Sequence, residues 1–338
     1  MSITVTARDN TERISGIVYS DKRKLADKRD DGEVEQLRSV VASLAWIARQ
    51  TRPGLSYRVS RLQSRVNHAT VADLRECNHV LQYAKDTSEK GLFYTSDGVG
   101  WDTAVMCTIT DASFCNEVKV TANGKEEFRS QQGYLTCIAS PNVINEESAM
   151  IHPICWSSTT IKRVCRSTLM AEAYSMSTGV EQGLRIRAAI CDARGVLDKK
   201  SWEESAQENM AHVWITDCDS LYEHLISPRN KQVDNKRLAI DMAALRQIIW
   251  DRRDGEDTNL ADSTKGDYPR WVDTSVMLSD PLTKVMAADV LEEALMTGFY
   301  DMTPSAESLI IKEKNRASRK KMKNEKKGVG EDLDNAEQ

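Results

Sequence analysis

The ten residues from Ala104 to Ser113 constrain this chain most. They read Ala-Val-Met-Cys-Thr-Ile-Thr-Asp-Ala-Ser, an apolar and β-branched run that ends by delivering one carboxylate, Asp111. Such a run predicts a buried central strand with an acid at its C-terminal edge. His212 to Ser220 repeats the arrangement with Asp217. Between the two, Glu172 lies in a helix-forming stretch, Ser-Thr-Leu-Met-Ala-Glu-Ala-Tyr-Ser-Met, and Asp280 follows in Met-Leu-Ser-Asp-Pro-Leu-Thr-Lys. Two strand-end Asp residues and two helix carboxylates can converge on a divalent-cation site, because Mg²⁺ takes several hard oxygen ligands at short range. Spacing alone does not select these four among 51 acidic residues, and an Asp at a strand end equally serves as a turn residue or helix cap. Asp217 is preferred to Asp219 as a ligand because it directly follows the apolar strand, whereas Asp219 suits the cap of a short helix.

A chain of 338 residues holds two ordinary domains, or one with extensions. With 40% hydrophobic and 29% charged residues it reads as soluble and mostly folded. The net charge of -5 argues against bulk electrostatic attraction to DNA while leaving local basic patches open. Eight scattered Cys with no Cys-x-x-Cys pair read as reduced thiols of an intracellular protein, cytoplasmic or nuclear. There is no zinc-type Cys/His spacing, no transmembrane-length apolar run and no apolar signal core at the N-terminus.

Along the chain, residues 1–34 form a polar lead-in. Residues 35–91 carry three helical patterns, over 35–50, from Pro53 through Leu62, and over 71–84, expected to pack through Leu44, Ile47, Leu74 and Leu81. Their Arg residues, among them Arg52, Arg58, Arg61 and Arg65, read either as a solvated face or as a phosphate-contacting surface. From residue 92 the texture turns to strands, over 105–110, 117–122, 132–139 and 151–157, in a meander with a surface insertion at 140–150. A helix from Ser167 to about Cys191 follows, weakened by Gly179 and Gly183. Then come a linker-like 194–210, a strand at 213–216, a short helix at 220–226, a polar loop at 229–236, a helix at 238–250 and a strand remnant at Trp271-Val272. Ser279-Asp280-Pro281 opens a last helix. Residues 301–338 form a charged tail with a basic stretch from Ile311 to Lys327, either a solubilising tail or a nucleic-acid arm.

Several short motifs, in order, carry a resemblance. They are Thr51-Arg52-Pro53-Gly54-Leu55, Val80-Leu81-Gln82-Tyr83-Ala84-Lys85, Ile109-Thr110-Asp111-Ala112-Ser113 and Cys155-Trp156-Ser157-Ser158. Ala171-Glu172-Ala173-Tyr174, Thr216-Asp217-Cys218-Asp219-Ser220, Trp271-Val272-Asp273-Thr274 and Leu278-Ser279-Asp280-Pro281-Leu282-Thr283-Lys284 follow. Together, over roughly residues 35–290, they resemble the C-terminal part of a copia-type retrotransposon polyprotein: the end of the reverse transcriptase thumb or connection, then a ribonuclease H domain. The resemblance implies an α/β fold, a ribonuclease H-like mixed sheet flanked by helices over 92–300, preceded by a small helical thumb/connection remnant over 35–91. It implies metal-dependent endonuclease activity on the RNA strand of RNA–DNA hybrids. Asp111, Glu172, Asp217 and Asp280 would hold two Mg²⁺ ions, with Mn²⁺ as the alternative, and Asp280 would lie at the rim. It also implies nucleic-acid contacts at Arg52, Arg61, Ser113 and Lys284.

The sequence departs from the family's pattern in places. There is no Tyr-x-Asp-Asp polymerase motif, so a polymerase palm is expected upstream as a partner within a longer polyprotein, and this chain alone is not expected to polymerise DNA. The family's Asn-Gln pair after the second Asp is Cys218-Asp219 here, and Leu238-Ala239 stand where a His is common. The loops 141–151 and 250–270 are enlarged. These departures keep two alternatives open, a catalytically decayed nucleic-acid-binding or structural remnant and a nuclease of the same fold acting on DNA.

Overall fold

A computed structural model describes residues 1–20, 22–120, 126–227, 233, 235–250, 266–306, 308–310 and 314. The basic stretch 311–327 and the enlarged loop 250–270 lie largely outside them, as does most of the polar loop 229–236. The N-terminal residues 1–34 do more than lead in. Strand β1 (Ser2–Val5) pairs with a strand far along the chain, helix α1 (Arg8–Glu12) follows, and Ala7 and Ile17 join the core of the helical unit. Helix α2 (Asp31–Gln50) starts inside the charged stretch because Asp30 and Glu33 cap each other. Asp30 Oδ1 accepts from Glu33 N–H and Glu33 Oε2 from Asp30 N–H, both at 2.8 Å. Pro53 ends it in a single 3-10 turn, and α3 (Ser56–Arg65) and α4 (Val71–Asp86) follow. Leu44, Ile47, Leu74 and Leu81 share one buried cluster, as their helical spacing predicts.

Strand β2 (Leu92–Thr95) is the partner of β1. Next come β3 (Val105–Val120), β4 (Glu126–Ala139), β5 (Ser148–Thr160), helix α5 (Thr168–Ala193), α6 (Trp202–Asn209), β6 (His212–Thr216), α7 (Asp219–Ile226), α8 (Lys236–Trp250), β7 (Asp267–Trp271), α9 (Asp289–Thr297) and β8 (Phe299–Asp301). The larger sheet has the order β7-β6-β3-β4-β5-β8. β3, β4 and β5 form the antiparallel meander, while β6 joins β3, and β7 joins β6, in parallel. Three antiparallel strands with two parallel strands added beside the first are the ribonuclease H-like mixed sheet expected above, with helices packed against it. Val105, Cys107 and Ile109 alternate onto one core face, and Met106, Thr108 and Thr110 onto the other, beneath α5. Among the described residues no helix is long and apolar enough to cross a membrane.

Residues 140–150 are not a surface insertion, because Val143 and Ala149 enter the core and Ser148 already begins β5, and three further details differ from the sequence expectation. The strands expected at 105–110 and 117–122 are one strand, interrupted by a bulge where the register shifts between Ser113 and Glu117. Residues 194–210 are not a linker, because Trp202–Asn209 forms α6 and buries Ala206, with Met210 just beyond it, against Ala104 and Cys191. The helix expected to open at Pro281 is a single 3-10 turn, Asp280–Leu282, held in the core by Leu282; the helix itself begins at Asp289.

Helix α5 runs unbroken through both of its glycines because the sheet requires them. A Cβ at Gly179 would stand 2.6 Å from Thr110 Cγ2, and one at Gly183 would stand 2.5 Å from His212 Cε1. The lost helix propensity, about 1 kcal/mol per Gly, is outweighed by close helix–sheet approach. Gly183→Ala therefore destabilises the protein by about 1–3 kcal/mol despite its better propensity, read as a lower urea midpoint.

Candidate metal centre

The expected central strand delivers Asp111 beside β4, opposite Gly133. That glycine is required, since a Cβ there would stand 2.6 Å from Leu282 Cβ. The 3-10 turn 280–282 thus packs directly on β4, and the next residue, Thr283, donates its hydroxyl to Asp111 Oδ2 in a short hydrogen bond. Ser175 of α5 donates to the carbonyls of Asp111 and Gly133, at 2.7 and 3.1 Å, and so ties that helix to the strand pair. Ser167 caps α5 by accepting from Met170 N–H, which fixes where the helix starts and so where Glu172 falls. Asp217 follows the fully buried β6. Its Oδ2 accepts from Thr274 Oγ1 at 2.7 Å, and its carbonyl accepts from the Trp271 indole at 3.0 Å.

Asp111, Glu172 and Asp217 each bring one carboxylate oxygen to within 4.8 Å of the others. Asp111 is 2% and Glu172 4% exposed. Glu172 Oε2 is buried without a hydrogen-bond partner. Burial pushes the Asp111 carboxyl up to about 7, reinforced by Asp280 and partly offset by Lys284 and Thr283. Burial first, then Asp111, raises Glu172 well above the carboxylate range, although a backbone hydrogen bond from Ala112 opposes the shift. Asp217 is also raised by burial. Three acids that resist ionisation while packed together, one with an orphaned oxygen, form a cradle whose charge a cation would complete.

Asp280 stands beside the three acids, close enough for its charge to act on Asp111 and Asp217. It is 4% exposed and outside the three-carboxylate group, with its Oδ1 held 2.6 Å from Lys284 Nζ. The same ammonium lies 3.7 Å from Asp111 Oδ2. Burial works against the Lys284 charge, but Asp111 and Asp280 outweigh it and raise its pKa. Asp219 is exposed in the first turn of α7, and the cap position expected for it is taken by Cys218.

The expected nucleic-acid contacts divide. Arg61 and Lys284 keep about a third of their side chains exposed, with Arg61 3.6 Å from Glu117. Arg52 and Ser113 are each 4% exposed, which removes both from any phosphate surface in this conformation. Arg52 instead donates to the Thr87 carbonyl and hydroxyl, both at 2.7 Å, and lies 3.6 Å from Glu292 of α9. Tyr83 and Lys90 reach the same carboxylate, so Glu292 ties the helical unit to the sheet domain. Of the other Arg residues weighed as a phosphate surface, Arg58 pairs with Glu76 and Arg65 with Asp73. The residues that sequence reasoning missed are the orienting hydroxyls of Ser175, Thr274 and Thr283. The two threonines stand inside motifs quoted for their acids, but a hydroxyl has no periodicity to reveal its role.

No family model matches the sequence. By sequence the chain is similar to retrovirus-related Pol polyproteins. The polyprotein from transposon RE1 of Arabidopsis thaliana is 29% identical over 142 residues, 42% of this chain. That from transposon RE2 of the same plant is 28% identical over 142 residues, again 42% of the chain. The chain spans 8% of the length of each. The retrotransposon polyprotein resemblance read from the motifs thus has sequence counterparts in these Pol polyproteins. Among solved structures, RNase H1 from the halophilic archaeon Halobacterium salinarum is 11% identical, covering 56% of this chain and 98% of its own at a TM-score of 0.29. LC11-RNase H1, isolated from compost, is 12% identical, covering 56% and 98% at a TM-score of 0.31.

Proposed function

We propose that this chain is a divalent-metal-dependent endonuclease that cleaves the RNA strand of RNA–DNA hybrids. The observation that carries the reading is the convergence of Asp111, Glu172 and Asp217 within 4.8 Å. The donor set is all oxygen and anionic, which fits Mg²⁺ or Mn²⁺ better than a thiophilic ion. The orphaned Glu172 Oε2 gives the same fit from the protein side. A bound cation would supply a water of lowered pKa and positive charge against the attacked phosphate. The chain's own residues hold the acids in place: the Thr283 hydroxyl orients Asp111, that of Thr274 orients Asp217, and Ala112 N–H orients Glu172. Asp280 keeps Lys284 beside the centre, where its ammonium can meet a phosphate oxygen. Hybrid would be selected by 2′-hydroxyl contacts and groove shape, not by base identity. In this reading residues 35–91 are the thumb or connection remnant, 92–300 the nuclease domain, and an upstream reverse transcriptase palm the partner.

A second reading, a decayed remnant that binds nucleic acid without cutting it, draws on Lys284. Its ammonium already supplies positive charge to Asp111 and Asp280, as a metal would. The test is purified protein incubated with labelled RNA–DNA hybrid, duplex RNA and duplex DNA, each with Mg²⁺ or with EDTA. Cleavage confined to the RNA of the hybrid, and only with Mg²⁺, is expected. Cutting of duplex DNA would favour the DNA nuclease, and salt-sensitive binding with no cleavage would favour the remnant.

A further inference from the structure

We propose that Cys115 and Cys165 form a dithiol site that closes to a disulfide when it meets a small disulfide oxidant such as glutathione disulfide. Cys115 sits in the bulge of β3 with φ 56, a left-handed backbone conformation that few non-glycine residues adopt. Bulges re-aim side chains, and this one leaves its residue unpaired to β4 between Ser113 and Glu117. Cys165 lies in the turn that leads into α5. Both residues line one cavity of about 320 Å³. Ser130, which also lines the cavity, accepts at its Oγ from Cys115 N–H at 3.1 Å, and the Cys165 thiol donates to the Arg163 carbonyl at 3.9 Å.

Both thiols are half-buried and reachable from the cavity, whereas Cys77, Cys107, Cys137 and Cys191 are buried. Cys155 and Cys218 are also half-buried, but neither lines this cavity. Disulfides bridge Cα atoms about 4.4–6.8 Å apart. The shared cavity keeps the two residues in one neighbourhood, and both belong to irregular segments, the bulge of β3 and the residues before α5. One protein thiolate attacks a sulfur of glutathione disulfide, breaking its S–S bond and releasing one glutathione thiolate. The second protein thiolate attacks the mixed disulfide and releases the other. The two protein thiols lose two protons and two electrons, and glutathione disulfide is reduced to two glutathiones. The bond would join the strand carrying Asp111 to the segment that leads into the helix carrying Glu172.

The full chain is incubated with excess glutathione disulfide, remaining thiols are alkylated, and peptides are read by mass spectrometry. The expected product is a Cys115–Cys165 linked peptide pair, lighter by two hydrogens, with no glutathione retained on either residue. C115S should instead hold glutathione stably on Cys165, and C165S should hold it on Cys115; circular dichroism selects the variant that is folded. Glutathione retained on both residues of the wild type, both residues unmodified, or either one linked to Cys155 or Cys218 would overturn the proposal.

Discussion

On the proposed nuclease function, Asp217→Asn is expected to lower cleavage of hybrid RNA about 10³-fold, whereas Asp219→Asn is expected to leave it close to wild type. Asp217→Asn keeps the size of the side chain and an oxygen able to accept the Thr274 hydroxyl. It removes one of the three charged oxygens that converge in the centre. The expected loss is on the order of 10³-fold, about 4 kcal/mol of transition-state stabilisation. Asp219 is exposed in the first turn of α7 and outside the group. Its removal costs only the interaction of a carboxylate with a helix N-terminus, about 0.3–1 kcal/mol of stability. Single-turnover cleavage of a labelled hybrid by the two variants separates them. Equal loss in both would remove the basis for choosing Asp217.

Arg187→Met lowers stability by about 3–5 kcal/mol, the cost of leaving a buried charge without its partner. Arg187 Nη1 lies 3.1 Å from Asp267 Oδ2, with side-chain exposures of 2% and 0%. His212, fully buried, lies 3.4 Å from the other oxygen of Asp267 and shares a 2.8 Å hydrogen bond with Thr108. Burial works to raise the Asp267 carboxyl, but Arg187 and then His212 outweigh it and hold it below the usual carboxylate range. A carboxyl with a depressed folded pKa contributes stability at neutral pH that is lost as pH falls through that pKa. Without Arg187 only His212 opposes burial, so the variant's Asp267 should take up a proton above its unfolded value, and the deficit should be large near pH 7 and shrink toward about pH 4, the unfolded Asp value. Urea unfolding at the two pH values measures this. A deficit independent of pH would mean that the loss comes from packing and not from charge.

The sequence made the acids legible in unequal ways. Asp111 and Asp217 end apolar strands, and period-two patterning finds such ends. Glu172 has no such marker, and only its motif distinguishes it from other helix acids. Asp280 was placed by motif as well, and the structure buries it against Lys284, because the turn that carries it is pinned on Gly133. Gly179 and Gly183 misled because local propensity cannot sense a sheet lying within 3 Å of where a Cβ would stand. Arg52 misled for a related reason: an Arg in a polar helical stretch looks solvated until its distant partner, Glu292, is known. The bulge at Cys115 likewise arises from pairing with β4, so the sequence reads as two strands where the sheet has one.

If Asp111, Glu172 and Asp217 form a cation site, thermal unfolding across pH should differ with and without Mg²⁺. Asp111 is pushed up to about 7, and its unfolded value is about 3.9. A carboxyl raised in this way contributes stability that is fully present below about pH 4 and lost as pH rises through about 7. In EDTA the Tm should therefore fall across that window, and Asp111→Asn should flatten the fall. Mg²⁺ at about 100 times its dissociation constant should restore about 2.7 kcal/mol above pH 7 in the wild type, and much less in Glu172→Gln or Asp217→Asn. A Tm indifferent to Mg²⁺ in the wild type, or raised equally in the wild type, Glu172→Gln and Asp217→Asn, would mean that these three acids hold no cation.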